Sequence, residues 1–178
     1  MTISAKLNKF LSQNKVKFEE IKHRQVFTGL DKAATLRVKP GLIAKTLIMK
    51  SGPEGKPSAS YGVNKNLAMA ILAANRNLNK KKFAKASKLK NPDFVSETLI
   101  KNRIKGFKVG AIPPLGGLFK MPSFLDRGLA KEKLIFVSAG NYETSLKLSP
   151  KILEKLGAVK ADFSEIKKIA KQKKTKKK

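Results

Sequence analysis

The sequence predicts a single α/β domain built on a mixed sheet, and three observations carry that prediction. A chain of 178 residues with 41% hydrophobic content can bury one good core, and its length fits one domain. Strand-like and helix-like segments are interspersed without a strict strand–helix–strand rhythm, which favours a mixed sheet over a doubly wound parallel one. No internal repeat divides the chain.

Residues 3–14 place Ile3, Leu7, Phe10 and Leu11 on one face, so an amphipathic helix opens the domain. VKFEEIKH, residues 16–23, reads as a strand. Thr28 followed by Asp31 has the spacing of a capping pair and opens a short helix over residues 31–38. Lys39-Pro40-Gly41 ends that helix and turns into the strand GLIAKTLIMK, residues 41–50. Residues 51–58, SGPEGKPS, read as a flexible connection. LAMAILAA, residues 67–74, fits a buried strand or a helix by periodicity; asparagines on both sides and its short length favour a strand. Asn79 can cap a helix over residues 80–89. GFKVGAI (residues 106–112), FKMPSFLD (119–126), KLIFVSAG (133–140) and TSLKL (144–148) are expected as strands. Ser149-Pro150 starts a helix that Gly157 closes, and residues 158–163 suit a last strand. From Ser164 onward the composition turns polar and basic, so residues 1–163 are expected as the domain and 164–178 as a lysine-rich tail.

Composition excludes several chemistries. Cysteine is absent, which removes disulfides, thiolate metal sites and a thiol nucleophile. One histidine, His23, rules out a multi-histidine zinc site. No apolar run approaches the roughly 20 residues that span a bilayer, and the N-terminal segment is amphipathic, so a cytoplasmic protein without a membrane partner is expected. With 40 Lys and Arg against 12 Asp and Glu, the net charge of +28 points to a polyanion, nucleic acid first. Lysine greatly outnumbers arginine, which suits diffuse phosphate attraction better than bidentate base reading.

Within residues 41–50, an extended chain sets Lys45 on the same face as Ile43, Leu47 and Met49. Burying an unpaired ammonium costs several kcal/mol, so an inward lysine must meet an anion, line a wet cavity or lose its proton. Alternatively the strand lies at an edge and the side chain snorkels to water. VGAIPPLGG, residues 109–117, combines rigid prolines with glycines that let a ligand approach the backbone; it suits recognition through main-chain groups or a plain tight turn. In VSAGNYE, residues 137–143, small residues follow an apolar strand.

Taken in order, HRQVFT, AKTLIMK, GAIPP (a GxxxP motif from Gly110 to Pro114), FLDRGL, and FVSAG followed by LKLSPKILEKLG resemble the YbaK/ProX family of aminoacyl-tRNA deacylases, related to the editing domain inserted in bacterial prolyl-tRNA synthetases. The likeness runs from about residue 16 to residue 160. It implies a mostly antiparallel, barrel-like sheet with flanking helices and a site in a cleft. It further implies hydrolysis of the ester that joins a wrong, small amino acid to tRNA, with no cofactor and no metal. Mischarged tRNA is the implied partner, with a synthetase or the ribosome as further ones.

By that resemblance Lys45 is the essential lysine, and the Gly110–Pro114 loop, Ile112 included, holds the substrate through its backbone. Phe27, Thr28, Ser138 and Gly140 line the amino-acid pocket, and His23 matches a recurrent histidine near the first strand. Lys45 acts electrostatically, or as a general base if burial neutralises it. Members acting on cysteinyl-tRNA often carry an acidic residue soon after the SxG segment; here Glu143 is off-register and Ser145 stands near that place. Alanine, serine, cysteine and proline all stay open as the amino acid. Lys173, Lys174, Lys176 and Lys177 of the tail are expected to contact tRNA phosphates. The rival readings are a non-catalytic tRNA-binding or synthetase-associated module of the same fold, and a basic ribosome-associated protein.

Overall fold

The computed structural model describes residues 3–51 and 66–166. The connection expected at residues 51–58 beyond Ser51, and the tail lysines, lie outside them. The chain opens with helix α1 (Ala5–Gln13), capped by the Ser4 hydroxyl, and strand β1 (Glu19–Lys22). Helix α2 (Gly29–Leu36) begins at Thr28, whose Oγ1 accepts from the Asp31 backbone N–H. A short 3₁₀ turn at Pro40–Leu42 leads into β2 (Ala44–Lys50). β3 (Leu67–Ala73) and β4 (Arg76–Leu78) follow, then α3 (Lys80–Ser87), capped by Asn79 as its side chain predicts. β5 (Asp93–Phe94) and α4 (Glu97–Arg103) precede β6 (Ser123–Asp126) and the one-turn α5 (Arg127–Ala130). β7 (Ile135–Ser138), β8 (Thr144–Leu148), α6 (Pro150–Lys155), β9 (Val159–Ala161) and β10 (Ser164–Ile166) complete the described residues.

The strands form a five-stranded mixed sheet in the order β5-β2-β3-β6-β9, an antiparallel three-stranded sheet β1-β8-β7, and a two-stranded ribbon β10-β4. β3–β6 and β6–β9 are parallel pairs and every other pair is antiparallel. Among the described residues these sheets do not close into a barrel, so the expected barrel-like form is corrected to three separate sheets. A single parallel bridge, Ile43 to Phe136, joins the start of β2 to β7.

β3 is buried along its whole length because both faces of the large sheet are covered. On one side Ile48, Met69, Ile71 and Leu125 pack with Leu7 and Leu11 of α1 and with Val137 and Leu146 of the smaller sheet. On the other, Met49, Ala70 and Leu72 meet a cluster in which Phe83 of α3 lies edge-on to Phe124 and Phe163, at 5.5 and 5.2 Å between centroids. This explains an apolar run with no alternation: a strand covered twice has no wet face.

Besides helix α4, which was not expected, two segments differ from expectation. Residues 106–112 are a loop, because Lys108 N–H and Ala111 C=O spend their bonds on Gly140 and the Ala111 N–H turns back to Lys108. Ser164–Ile166 pairs with β4 rather than joining a tail. Its anchor is Asp126, 1% exposed, whose carboxylate accepts from the N–H groups of Phe163 and Ser164 and from Ser164 Oγ.

Candidate active site

Where the Ile43–Phe136 bridge joins the two sheets, the N-terminal end of α2 and the loop before Ala111 enclose a cavity of about 40 Å³. Phe27, Thr28, Lys32, Lys45, Gly110 and Ser138 line it. Tyr142 and Asn141 close one side, and its apolar walls are Val26, Ile43, Ala44 and Ala111. Two larger hollows lie elsewhere. One of about 680 Å³ runs between residues 14–19, β8 and α6, and one of about 570 Å³ runs along Phe107, Lys108 and Gly140. The small cavity is the chemical candidate because it alone of the three gathers two ammonium groups beside an open glycine backbone.

Lys45 is half-buried, on the face of β2 that carries Leu47 and Met49. Its ammonium reaches past the end of β3 and donates to the backbone carbonyl of Arg76 at the start of β4. Arg76 is itself held, since its Nε donates to Ser164 Oγ at 3.1 Å, and Ser164 is bonded to Asp126. An inward lysine is therefore tolerated by meeting a carbonyl at a strand end while still lining a cavity.

Lys32 lines the cavity, and sequence reasoning did not single it out. It is 6% exposed, and its Nζ donates to Ser138 Oγ at 2.8 Å. Burial pushes its ammonium down from the usual 10.5 to about 8, because the charged form loses its water. In sequence it is one lysine among many, beside a small apolar Ala33. Only the docking of α2 against β7 makes it buried.

The other expected residues divide. Phe27 stands at the rim, 65% exposed, edge-on to Tyr142 at 4.8 Å between centroids. Tyr142 is fixed in turn, its hydroxyl donating to the Val109 carbonyl at 2.7 Å. Gly110 is exposed with φ +81°, and no atom lies within 4 Å of where a Cβ would be, so the loop backbone is open there. Ile112 and Pro114 are buried and do not line the cavity; Ile112 belongs to the main core. Gly140 also lies off the cavity. It has φ +96° and its Cα faces the Phe107 ring, so a side chain there would collide with that ring. His23 sits behind the cavity wall rather than in it. Its Nδ1 lies 2.8 Å from the Arg24 carbonyl and its Nε2 2.9 Å from Ser145 Oγ. A carbonyl only accepts, so Nδ1–H donates to Arg24, and Nε2 is paired with the Ser145 hydroxyl. Among the described residues no group of three or more His, Cys, Asp or Glu is placed to hold a metal.

The sequence pattern of the aminoacyl-tRNA editing domain matches residues 23–156, which includes every lining residue of this cavity. The chain belongs to the aminoacyl-tRNA editing domain family. The editing domain's fold recurs in solved structures. Hypothetical protein APE2540 superposes with a TM-score of 0.75 at 21% identity, over 90% of this chain and 99% of that one. A candidate trans-editing enzyme for prolyl-tRNA synthetase superposes with a TM-score of 0.74 at 18% identity, over 92% of this chain and 99% of that one. At such identities the likeness is one of fold, and it is the YbaK-like arrangement of a mixed α/β domain. No helix among the described residues of this editing domain is long and apolar enough to cross a membrane.

Proposed function

We propose that the chain is a trans-editing hydrolase that cleaves the ester bond of mischarged tRNA carrying a small amino acid. The observation that supports this most is the shared cavity: Lys45, Gly110 and Ser138, far apart in sequence, line one space of about 40 Å³. That size excludes a large side chain and leaves room for about three water-sized groups.

An aminoacyl ester is already activated, so the site needs to position water and stabilise charge rather than supply a covalent nucleophile. Water adds to the ester carbonyl carbon, the bond to the ribose oxygen breaks, and that oxygen takes a proton. The products are a free amino acid and a tRNA with its terminal hydroxyl restored. Lys45 supplies positive charge for the acceptor end or for the oxygen on which charge develops. The open backbone around Gly110 orients the ester. His23 acts at one remove, by holding Ser145 behind the Ser138 wall. Phosphates of the tRNA meet the strongly basic chain, including Lys173, Lys174, Lys176 and Lys177.

A non-catalytic tRNA-binding module draws its support from the Lys45–Arg76 carbonyl bond, which gives that lysine a structural partner. A deacylation panel separates the two. tRNAs charged with alanine, serine, cysteine and proline are incubated with the protein, and at least one ester is expected to disappear faster than in buffer. No excess on any of them would leave the binding module.

A further inference from the structure

Lys32 is a buried ammonium with three donors to satisfy. Among the described residues its hydrogen-bond partner is one neutral hydroxyl, Ser138 Oγ, and it takes part in no ion pair. Its sequence neighbour Asp31 is exposed and accepts from Thr28 Oγ1 at 2.6 Å. No carboxylate lines the cavity that Lys32 shares with Lys45. Ser138 stands directly opposite Ser145 in the β7–β8 ladder, so the wall behind Lys32 is also polar. The rest of the lining mixes aliphatic Val26, Ile43, Ala44 and Ala111 with Thr28, Asn141 and Tyr142, and the hydrogen bond of Lys32 Nζ goes to none of them but to Ser138. A cation kept dry beside a single hydroxyl is costly to the fold, and a ligand oxygen in this cavity supplies the missing acceptor.

We propose that Lys32 and Ser138 form a subsite for a short aminoacyl side chain ending in oxygen, hydroxyl or carboxylate, and that they reject an apolar side chain of the same size. The inference rests on the editing reading above and narrows its substrate class. An oxygen within reach of Lys32 Nζ accepts a charge-assisted hydrogen bond. A methyl group in the same place strips water from the ammonium and returns nothing, which is the condition for strong discrimination.

The test uses the full chain and amide-linked, non-hydrolysable seryl-, aspartyl- and alanyl-adenosine. Dissociation constants are measured for wild type, Lys32→Met and Ser138→Ala, beside deacylation of the matching charged tRNAs. The seryl or the aspartyl analogue is expected to bind wild type at least about tenfold tighter than the alanyl one, and which of the two wins identifies hydroxyl or carboxylate. Lys32→Met brings the ratio close to one, and Ser138→Ala reduces it. Thermal unfolding of each variant confirms that it is folded. Equal or tighter binding of the alanyl analogue by wild type, or an unchanged ratio in Lys32→Met, overturns the subsite. Discrimination without hydrolysis of any ester upholds the subsite and removes the editing reading. Hydrolysis without discrimination does the reverse.

Discussion

Replacing Lys32 by methionine exchanges a buried ammonium for an apolar chain of similar length, and the outcome for stability can be worked through. A fall from 10.5 to about 8 corresponds to about 3 kcal/mol of destabilisation carried by the charged form at neutral pH. Against this stands the Lys32–Ser138 hydrogen bond, which contributes about 1.5–3 kcal/mol as a bond to a charged group. The variant is therefore expected to be as stable as wild type or up to about 1.5 kcal/mol more stable at pH 7. For a chain of this size the upper end raises Tm by about 3–6 °C. The pH dependence isolates the cause. Between about 8 and 10.5 the unfolded lysine holds its proton while the folded one has lost it, so wild-type stability rises with pH across that window. Lys32→Met lacks this gain. The difference between them should shift by about 2 kcal/mol in favour of wild type from pH 7 to pH 10. Urea denaturation of both proteins at the two pH values measures it. A difference that does not change with pH would show that Lys32 is not a dry, charged group, and would remove the physical basis of the proposed subsite.

Other outcomes follow from the same geometry. Gly140→Ala combines a left-handed backbone with a collision at the Phe107 ring, and should lose about 1–3 kcal/mol in denaturant titration. A loss below about 0.5 kcal/mol would mean that Phe107 moves aside freely. Deleting residues 167–178 removes eight lysines and should weaken tRNA binding and flatten its dependence on salt while leaving amino-acid preference unchanged. A changed preference would show that the tail takes part in the pocket.

Local chemistry made much of the fold legible. Thr28 and Asn79 cap helices through their own side chains, and Pro150 and Gly157 bracket α6. The asparagines around residues 67–74, with the short length of that run, were enough to separate a strand from a helix. Failures came where long-range partners decide. The alternation of Phe107, Val109 and Ala111 imitates a strand, but the backbone bonds there go to Gly140 and to the turn itself. Ser164–Ile166 looks like the start of a polar tail, and its anchors, Asp126 and Arg76, are remote in sequence. The helix α4 carries little apolar patterning and went unread. At the site, Lys45 could be singled out because β-alternation aims it at an apolar face. Lys32 could not, since only the contact between α2 and Ser138 distinguishes it from its many neighbours of the same charge. Ile112 and Pro114 were assigned to a binding loop by the family resemblance, and both are buried while the loop's open side is at Gly110.

The most direct test is the single-turnover hydrolysis of a small-residue aminoacyl-tRNA by wild type and by Lys45→Met, which keeps the length of the side chain and removes its charge. The account predicts a wild-type rate well above that in buffer and a variant that is folded, binds tRNA and loses that excess by about a hundredfold or more. A folded variant that deacylates at the wild-type rate would contradict it.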